Sequence, residues 1–277
     1  MITHLYKGHY VRKRFGQHFL HDQYVIDSII NAINPKNDEI IIEIGPGLGA
    51  LTKKIGKLLN HLSVIEIDHD LSLRLKNNSS LHKKLCIFQQ DVLTFDFSWF
   101  SNQKKQLLRV FGNPPYNIST PLIFHLFHHI NSIHDIHLML QEEVVDRLLA
   151  NPGSKSYSRL SVVAQYYCKI SQILTVSSQS FIPQPNVRSK LVRLIPITQT
   201  KESLHYVHFL SFVTKEAFSQ RRKKIRNSLS HLFPSEILLK MNICPNLRAE
   251  NITISQYHQL ANWLSRNLNI PKHSLRK

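Results

Sequence analysis

A chain of 277 residues with 42% hydrophobic content is long enough for a full core and two domains, and too apolar for disorder. Its 35 Lys and Arg against 18 Asp and Glu leave a formal net charge of +17, which implies a polyanionic partner, either nucleic acid or an anionic membrane. The three scattered cysteines, Cys86, Cys168 and Cys244, support neither a disulfide framework nor a zinc site. With no membrane-length apolar run and no apolar leader, a soluble cytoplasmic protein without a metal is expected.

The chain opens with a basic arm: Lys7, Arg12, Lys13 and Arg14 precede any acid, and Phe15-Gly16-Gln17-His18-Phe19-Leu20 follows. Such an arm can grip phosphates or lie solvated. Asp22 is an N-cap candidate for a helix whose apolar face is Val25, Ile26, Ile29, Ile30 and Ile33, stopped by Asn34-Pro35. A β-branched run over 39–44 predicts a buried strand, and Gly45-Pro46-Gly47-Leu48-Gly49 follows at once. The next helix aligns Leu51, Ile55, Leu58 and Leu59 on one face. Strand, glycine turn and helix let the backbone approach a ligand beside a helix N-terminus.

A second strand over 62–67 ends in Glu66 and Asp68, about twenty residues after the first glycine, placed where an acid takes ribose hydroxyls. A third, over 85–88, runs into Asp91, where a carboxylate can accept an adenine amino group. The spacing Gly45-x-Gly47-x-x-Ala50 also satisfies the dinucleotide fingerprint, so the turn specifies an adenosine-containing cofactor without saying which.

The strand ending at Phe111 leads into Gly112-Asn113-Pro114-Pro115-Tyr116-Asn117, a loop at a strand's carboxyl end, where open α/β sheets place their ligands. The Asn113 side-chain carbonyl and a backbone carbonyl held rigid by two prolines make a paired acceptor for an –NH2 group. Tyr116 adds a flat face for a planar ring. Together they describe a pocket for the exocyclic amine of adenine or cytosine.

A mostly apolar helix over 120–130 carries His125, His128 and His129, which no carboxylate or Cys joins into a metal set. Then come a strand over 136–140, a helix over 142–150, a breaker at Asn151-Pro152-Gly153-Ser154, a helix over 160–168 and a strand over 170–176. Phe181-Ile182-Pro183-Gln184-Pro185 is a stiff loop ahead of a last strand over 190–195. The alternating order implies an α/β, doubly wound and mainly parallel sheet.

Strand patterns cease after Pro196. From Lys201 onward there are thirteen Lys and Arg against four Asp and Glu, a net of +9, with the run Gln220-Arg221-Arg222-Lys223-Lys224-Ile225-Arg226 in a helix-like setting. A boundary near 196–202 is expected, giving a sheet domain over 1–198 and a small, basic, all-helical domain over 199–277.

These motifs in this order, from Arg12-Lys13-Arg14-Phe15-Gly16-Gln17-His18 through the glycine turn, Asn113-Pro114-Pro115-Tyr116 and Phe181-x-Pro183-x-Pro185 to Arg221-Arg222-Lys223, closely resemble the ribosomal RNA adenine dimethylase family, nearest its bacterial small-subunit branch. The resemblance covers nearly the whole chain. It implies a Rossmann-like, S-adenosylmethionine-dependent methyltransferase that dimethylates N6 of two adjacent adenosines in a hairpin loop of small-subunit ribosomal RNA, as a monomer with a role in subunit biogenesis. It places cofactor contacts at His18, Leu20, Gly45, Gly47, Glu66, Asp91 and Asn113. Target-adenine contacts fall at Asn113, the Pro114 carbonyl and Tyr116, with Phe181 packing on the base. RNA contacts fall at Arg12, Lys13, Arg14, Arg221, Arg222 and Lys223. Many relatives carry Asn where this chain has His18, and an acid where it has Arg188. The motifs leave open a DNA adenine-N6 methylase, a large-subunit RNA methylase, and an assembly factor without catalysis. The glycine fingerprint alone also permits a nicotinamide oxidoreductase, which gives Asn113 and Tyr116 no role.

Overall fold

The computed structural model describes residues 5–81, 83–197 and 201–267. The side chains of Lys13 and of 201–207 lie outside that description, as do the ends of the expected helical domain at 199–200 and 268–277. The chain forms two compact units, one of 1–145 with 170–196 and one of 146–169 with 197–277.

The first unit is built on strands β1 (Ile40–Ile44), β2 (Leu62–Ile65), β3 (Leu85–Phe88), β4 (Leu108–Gly112), β5 (Ile133–Gln141), β6 (Cys168–Val176) and β7 (Ser189–Pro196). They make one sheet in the order β3-β2-β1-β4-β5-β7-β6. Ile44 pairs with Ile65 on one side and with Gly112 on the other, both in parallel, so glycine turn and Asn-Pro-Pro-Tyr loop leave adjacent strands at the same level. A Cβ at Gly112 would stand 2.2 Å from the Ile44 carbonyl oxygen, so only glycine fits between β1 and β4 there. β7 runs antiparallel to β5 in register from Ser189 opposite Gln141 to Leu194 opposite Ile136.

Helices α1 (Gln23–Ile33) and α2 (Ala50–Leu58) cover one face. Asp22 caps α1 by accepting the amide hydrogens of Tyr24 and Val25, and also takes the Ser180 hydroxyl at 2.9 Å. The helix buries the five apolar residues its periodicity marks, which join Leu51, Ile55, Val64 and Phe111 in one core. At the opposite end of the sheet, Arg109 donates to both Asp135 oxygens at 2.9 Å and to the Ile33 carbonyl at 2.7 Å, tying β4 and β5 to the end of α1. Burial alone would raise the Asp135 carboxyl, but Arg109, His137 and Arg193 together outweigh it and hold the carboxyl below its usual range.

α3 (His69–Lys76), α4 (Phe97–Lys104) and α5 (Ser119–His128) connect β2 to β5. α5 begins one residue before the Thr120 that the sequence suggests, after a short 3-10 turn at Tyr116–Ile118. α6 (Glu142–Leu148) and α7 (Arg159–Tyr167) precede β6.

The second unit is helical: α8 (Lys201–Ser219), α9 (Ile225–Ser228), α10 (Ser235–Lys240) and α11 (Ile254–Asn267). It is larger than the expected 199–277, because 146–169 belongs to it. Ala150, Tyr157 and Val162 share an apolar core with Leu210, Val213, Leu229 and Leu260. The Tyr157 hydroxyl donates to the Ile252 carbonyl at 3.1 Å, and the Gly153 amide to the Glu250 carbonyl at 2.6 Å. The segment lies between two sheet strands in the chain, which hides this partnership from a linear reading. The run 220–224 is a turn between α8 and α9 and not the expected helix.

Candidate active site

The site is a cleft of about 390 Å³ in the first unit, at the carboxyl ends of β1, β2, β3 and β4. Its size suits a small-molecule ligand. Gly45, Gly47 and Gly49 all have positive φ, between 57° and 78°. A Cβ at Gly47 would press on the Phe19 ring at 3.1 Å, and one at Gly45 would lie 3.6 Å from the Asn113 carbonyl oxygen. The turn therefore sits directly against the Asn-Pro-Pro-Tyr loop.

Glu66 supports the turn from β2, its two oxygens accepting the amide hydrogens of Gly47 at 3.2 Å and Asp68 at 2.9 Å. Burial pushes its carboxyl up to about 7, against those bonds, which favour the charged form. Behind it lies Glu43, also lining the cleft, with a side-chain oxygen that is buried and unpartnered. Burial drives that carboxyl up to about 8. Glu43 lies within the β-branched run that precedes the glycine turn, where the sequence gives it no role. Asp91 lines the cleft at the end of β3 and caps the turn that follows, accepting from the Leu93 amide at 2.9 Å.

On the other side stand Asn113, Pro114 and Tyr116. The Asn113 Nδ2 donates to the His18 carbonyl at 3.0 Å, which fixes the amide and turns Oδ1 away from that contact. The Tyr116 hydroxyl shares a 2.5 Å hydrogen bond with Ser189 at the start of β7. Burial raises the Tyr116 phenol above its ordinary value. Stacked on the Tyr116 ring is the imidazole of His18, with centroids 5.3 Å apart and planes 25° apart. The His18 Nδ1 donates in turn to the Pro183 carbonyl at 2.7 Å. Ser189 carries no motif signature, and Pro183, though part of the Pro-punctuated motif, acts through a main-chain carbonyl whose partner His18 lies 165 residues away in the chain.

The structure brings Asn113, Pro114, Tyr116, His18, Leu20, Gly45, Gly47, Glu66 and Asp91 around one cleft. It does not bring Phe181 there. Phe181 is 1% exposed, pairs with Leu20 and packs into the core beside α1. An aromatic at the start of a Pro-punctuated loop reads as a presented ring; here the two-residue pairing with Phe19–Leu20 turns it inward.

The basic arm also departs from expectation. Arg12 is paired with Asp68 at 3.1 Å and with Asp70. Gln17 joins it on Asp68 at 2.9 Å. Arg12 thus clamps the arm to the start of α3, beside the cleft that the arm lines through Tyr6, Lys7, Arg14 and Phe15. Arg14 is exposed and lies over the Phe15 ring at 4.7 Å; the Lys13 side chain lies outside the described residues. In the second unit Arg221 is held by Glu250 at 2.9 Å and by the Lys155 carbonyl, whereas Arg222 and Lys223 are exposed. Arg188, unlike the acid of many relatives, pairs with Glu142 at 3.0 Å.

A mostly parallel sheet in which β7 runs antiparallel to β5, a glycine turn backed by a buried acid, and an Asn-Pro-Pro-Tyr loop one strand away are the frame of a Rossmann-like methyltransferase that uses S-adenosylmethionine. The family model for ribosomal RNA adenine dimethylase matches residues 8–266, and the chain belongs to that family. It is 56% identical over 265 residues to a ribosomal RNA small subunit methyltransferase A of Erwinia tasmaniensis, covering 96% of this chain and 97% of the relative. A protein of the same description in Yersinia pestis is 54% identical with the same coverage. Among solved structures, a dimethyladenosine transferase from Plasmodium falciparum superposes with a TM-score of 0.75 at 28% identity, covering 90% of this chain and 98% of that one. The 23S rRNA methyltransferase ErmE shares the fold, with a TM-score of 0.64 at 20% identity, over 88% of this chain and 98% of its own.

Proposed function

We propose that this chain transfers methyl groups to N6 of two adjacent adenosines in a hairpin loop of small-subunit ribosomal RNA, acting as a cytoplasmic monomer during subunit biogenesis. The observation that carries the reading is the Asn113 amide, whose Nδ2 is taken by the His18 carbonyl so that Oδ1 is left as acceptor, on a residue whose main-chain carbonyl lies against the glycine turn.

The cleft fits the cofactor. Three glycines in left-handed conformations leave the backbone open to close approach. The Glu66 carboxylate, costly to bury without further donors, is suited to ribose hydroxyls, and Asp91 to an adenine amine. His18 through its main chain, with Leu20, Gly45, Gly47, Glu66, Asp91 and Asn113, would hold it. S-adenosylmethionine supplies, when bound, a sulfonium methyl that is already electrophilic.

The remaining work falls to residues that handle the adenine. Its N6 lone pair is delocalised into the ring and is a poor nucleophile. Asn113 Oδ1 and the Pro114 carbonyl, accepting the two N6 hydrogens, favour a pyramidal nitrogen. Tyr116 offers a face against which the base is held in line with the donor. Catalysis is then positioning plus fixed dipoles, with no covalent enzyme intermediate. No general base is required, since the proton leaves to water after transfer. The base must be unstacked to enter, which is cheapest in an RNA loop. Arg14, Arg222 and Lys223 supply exposed cations for the phosphates, while Arg12 and Arg221 serve mainly to hold their own loops.

The test is transfer of labelled methyl from S-adenosylmethionine to small ribosomal subunits that lack the modification, followed by nucleoside analysis. The expected product is N6,N6-dimethyladenosine. Label in another nucleoside, or none in the RNA, would refute the reading.

A further inference from the structure

His18 touches three parts of the cleft at once. Its carbonyl accepts the Asn113 amide at 3.0 Å, its Nδ1–H is given to the Pro183 carbonyl at 2.7 Å, and its ring lies on Tyr116 at 5.3 Å. The family resemblance implies a cofactor contact at position 18, where many relatives carry Asn, which points to the main chain as the contacting group. Here one ring nitrogen and one ring face are already engaged by the loops that shape the target pocket. Tyr116 is held from two directions, because its hydroxyl is bonded to Ser189, a residue buried to 0% exposure at the antiparallel strand β7.

We infer that His18 is a positioning residue for the target base: together with Ser189 it clamps the Tyr116 ring, so that the plate receiving the adenine keeps one orientation. This rests on the reading of Asn113 and Tyr116 as the adenine pocket. The physical ground is the geometry of transfer. A tyrosine side chain has two rotatable bonds, and a base stacked on a ring free to tilt loses its alignment with the donor methyl. The hydroxyl bond to Ser189 fixes the far end of the ring but permits rotation about the long axis. A second ring stacked 25° from coplanar removes that freedom. Pro183 then locks the imidazole itself. The His18 carbonyl bond to Asn113 is a main-chain contact that any residue at 18 would retain, so substitution isolates the contribution of the ring.

The test measures kcat, the KM for RNA, and direct cofactor binding in the full-length protein. His18→Ala should lower kcat about threefold to tenfold, the worth of an aromatic pair, with cofactor affinity unchanged within about twofold. His18→Phe keeps a flat ring without the nitrogen, and should restore kcat to within about twofold of wild type. Ser189→Ala should lower kcat similarly and also leave cofactor binding intact. Intact cofactor binding doubles as the check that each variant is folded. A His18→Ala protein with weakened cofactor binding and normal kcat would overturn the inference and make the side chain a cofactor ligand. Unchanged or increased kcat would overturn it too, the latter showing that the ring obstructs the base. Nucleoside analysis of the wild-type product separates these outcomes from failure of the pocket reading: a product other than N6-methylated adenosine overturns both.

Discussion

Two proline-stiffened loops in this protein carry an aromatic residue, and they use it in opposite ways. Asn113-Pro114-Pro115-Tyr116 follows a parallel strand and opens into the cleft, its ring half-buried and gripped by Ser189 and His18. Phe181-Ile182-Pro183 pairs with Phe19–Leu20 and sinks its ring into the core, leaving the Pro183 carbonyl as its contribution to the site. Proline fixes the path of both chains. What the ring does is decided by the neighbour the loop meets. One loop lines the cleft with its ring and the other packs its ring into the core.

Variants can break that contrast. Phe181→Ala should show the largest effect, a loss of about 3–5 kcal/mol of stability from a core cavity, read by denaturant melts, while the protein that remains folded still transfers methyl. Asn113→Ala should reverse the pattern: stability and RNA binding near wild type, but transfer reduced at least about a hundredfold, as when one fixed polar group is removed from a reacting centre. A Phe181 variant of full stability but no activity would return that ring to the site.

Proton linkage sharpens the cofactor side of the cleft. Burial pushes the Glu66 carboxyl up to about 7, and in the proposed role ribose hydroxyls would bind its charged form. Cofactor affinity should be flat above about pH 7 and fall as pH drops below it, approaching tenfold per unit. Titration calorimetry between pH 5.5 and 8.5, as chosen conditions, checks this. In a Glu66→Gln protein the dependence should vanish and affinity should be low throughout. The smallest effect is expected of Tyr116→Phe, which loses only the bond to Ser189: kcat down by about twofold to tenfold, the worth of one neutral hydrogen bond.

The same contrast explains what the sequence made legible. The β-branched run before Gly45, the glycine turn, the acids at the ends of β2 and β3 and the Asn-Pro-Pro-Tyr loop are contiguous signals whose meaning is local, and each stands in the cleft. Long-range partnerships were not legible. Nothing near Phe181 in the chain announces that it will pair with Leu20, some 160 residues earlier, nor that Arg12 will spend its charge on Asp68 and Asp70. The segment 146–169 reads as part of the sheet domain because strands flank it, yet its apolar face matches helices that come later. Arg221 to Lys224 has helical propensity, but α8 ends at Ser219 and the run forms a turn.

The Gly112 contact also bears on how the enzyme can be altered. With the Ile44 carbonyl 2.2 Å from where a methyl would stand, even alanine would wedge β1 from β4. Those two strands carry the glycine turn and the Asn-Pro-Pro-Tyr loop on their tips, so their spacing fixes how far apart the two walls of the cleft stand. Substitutions that reshape the cleft can therefore work on its walls, while any side chain at Gly112 would disturb the pairing that sets its width.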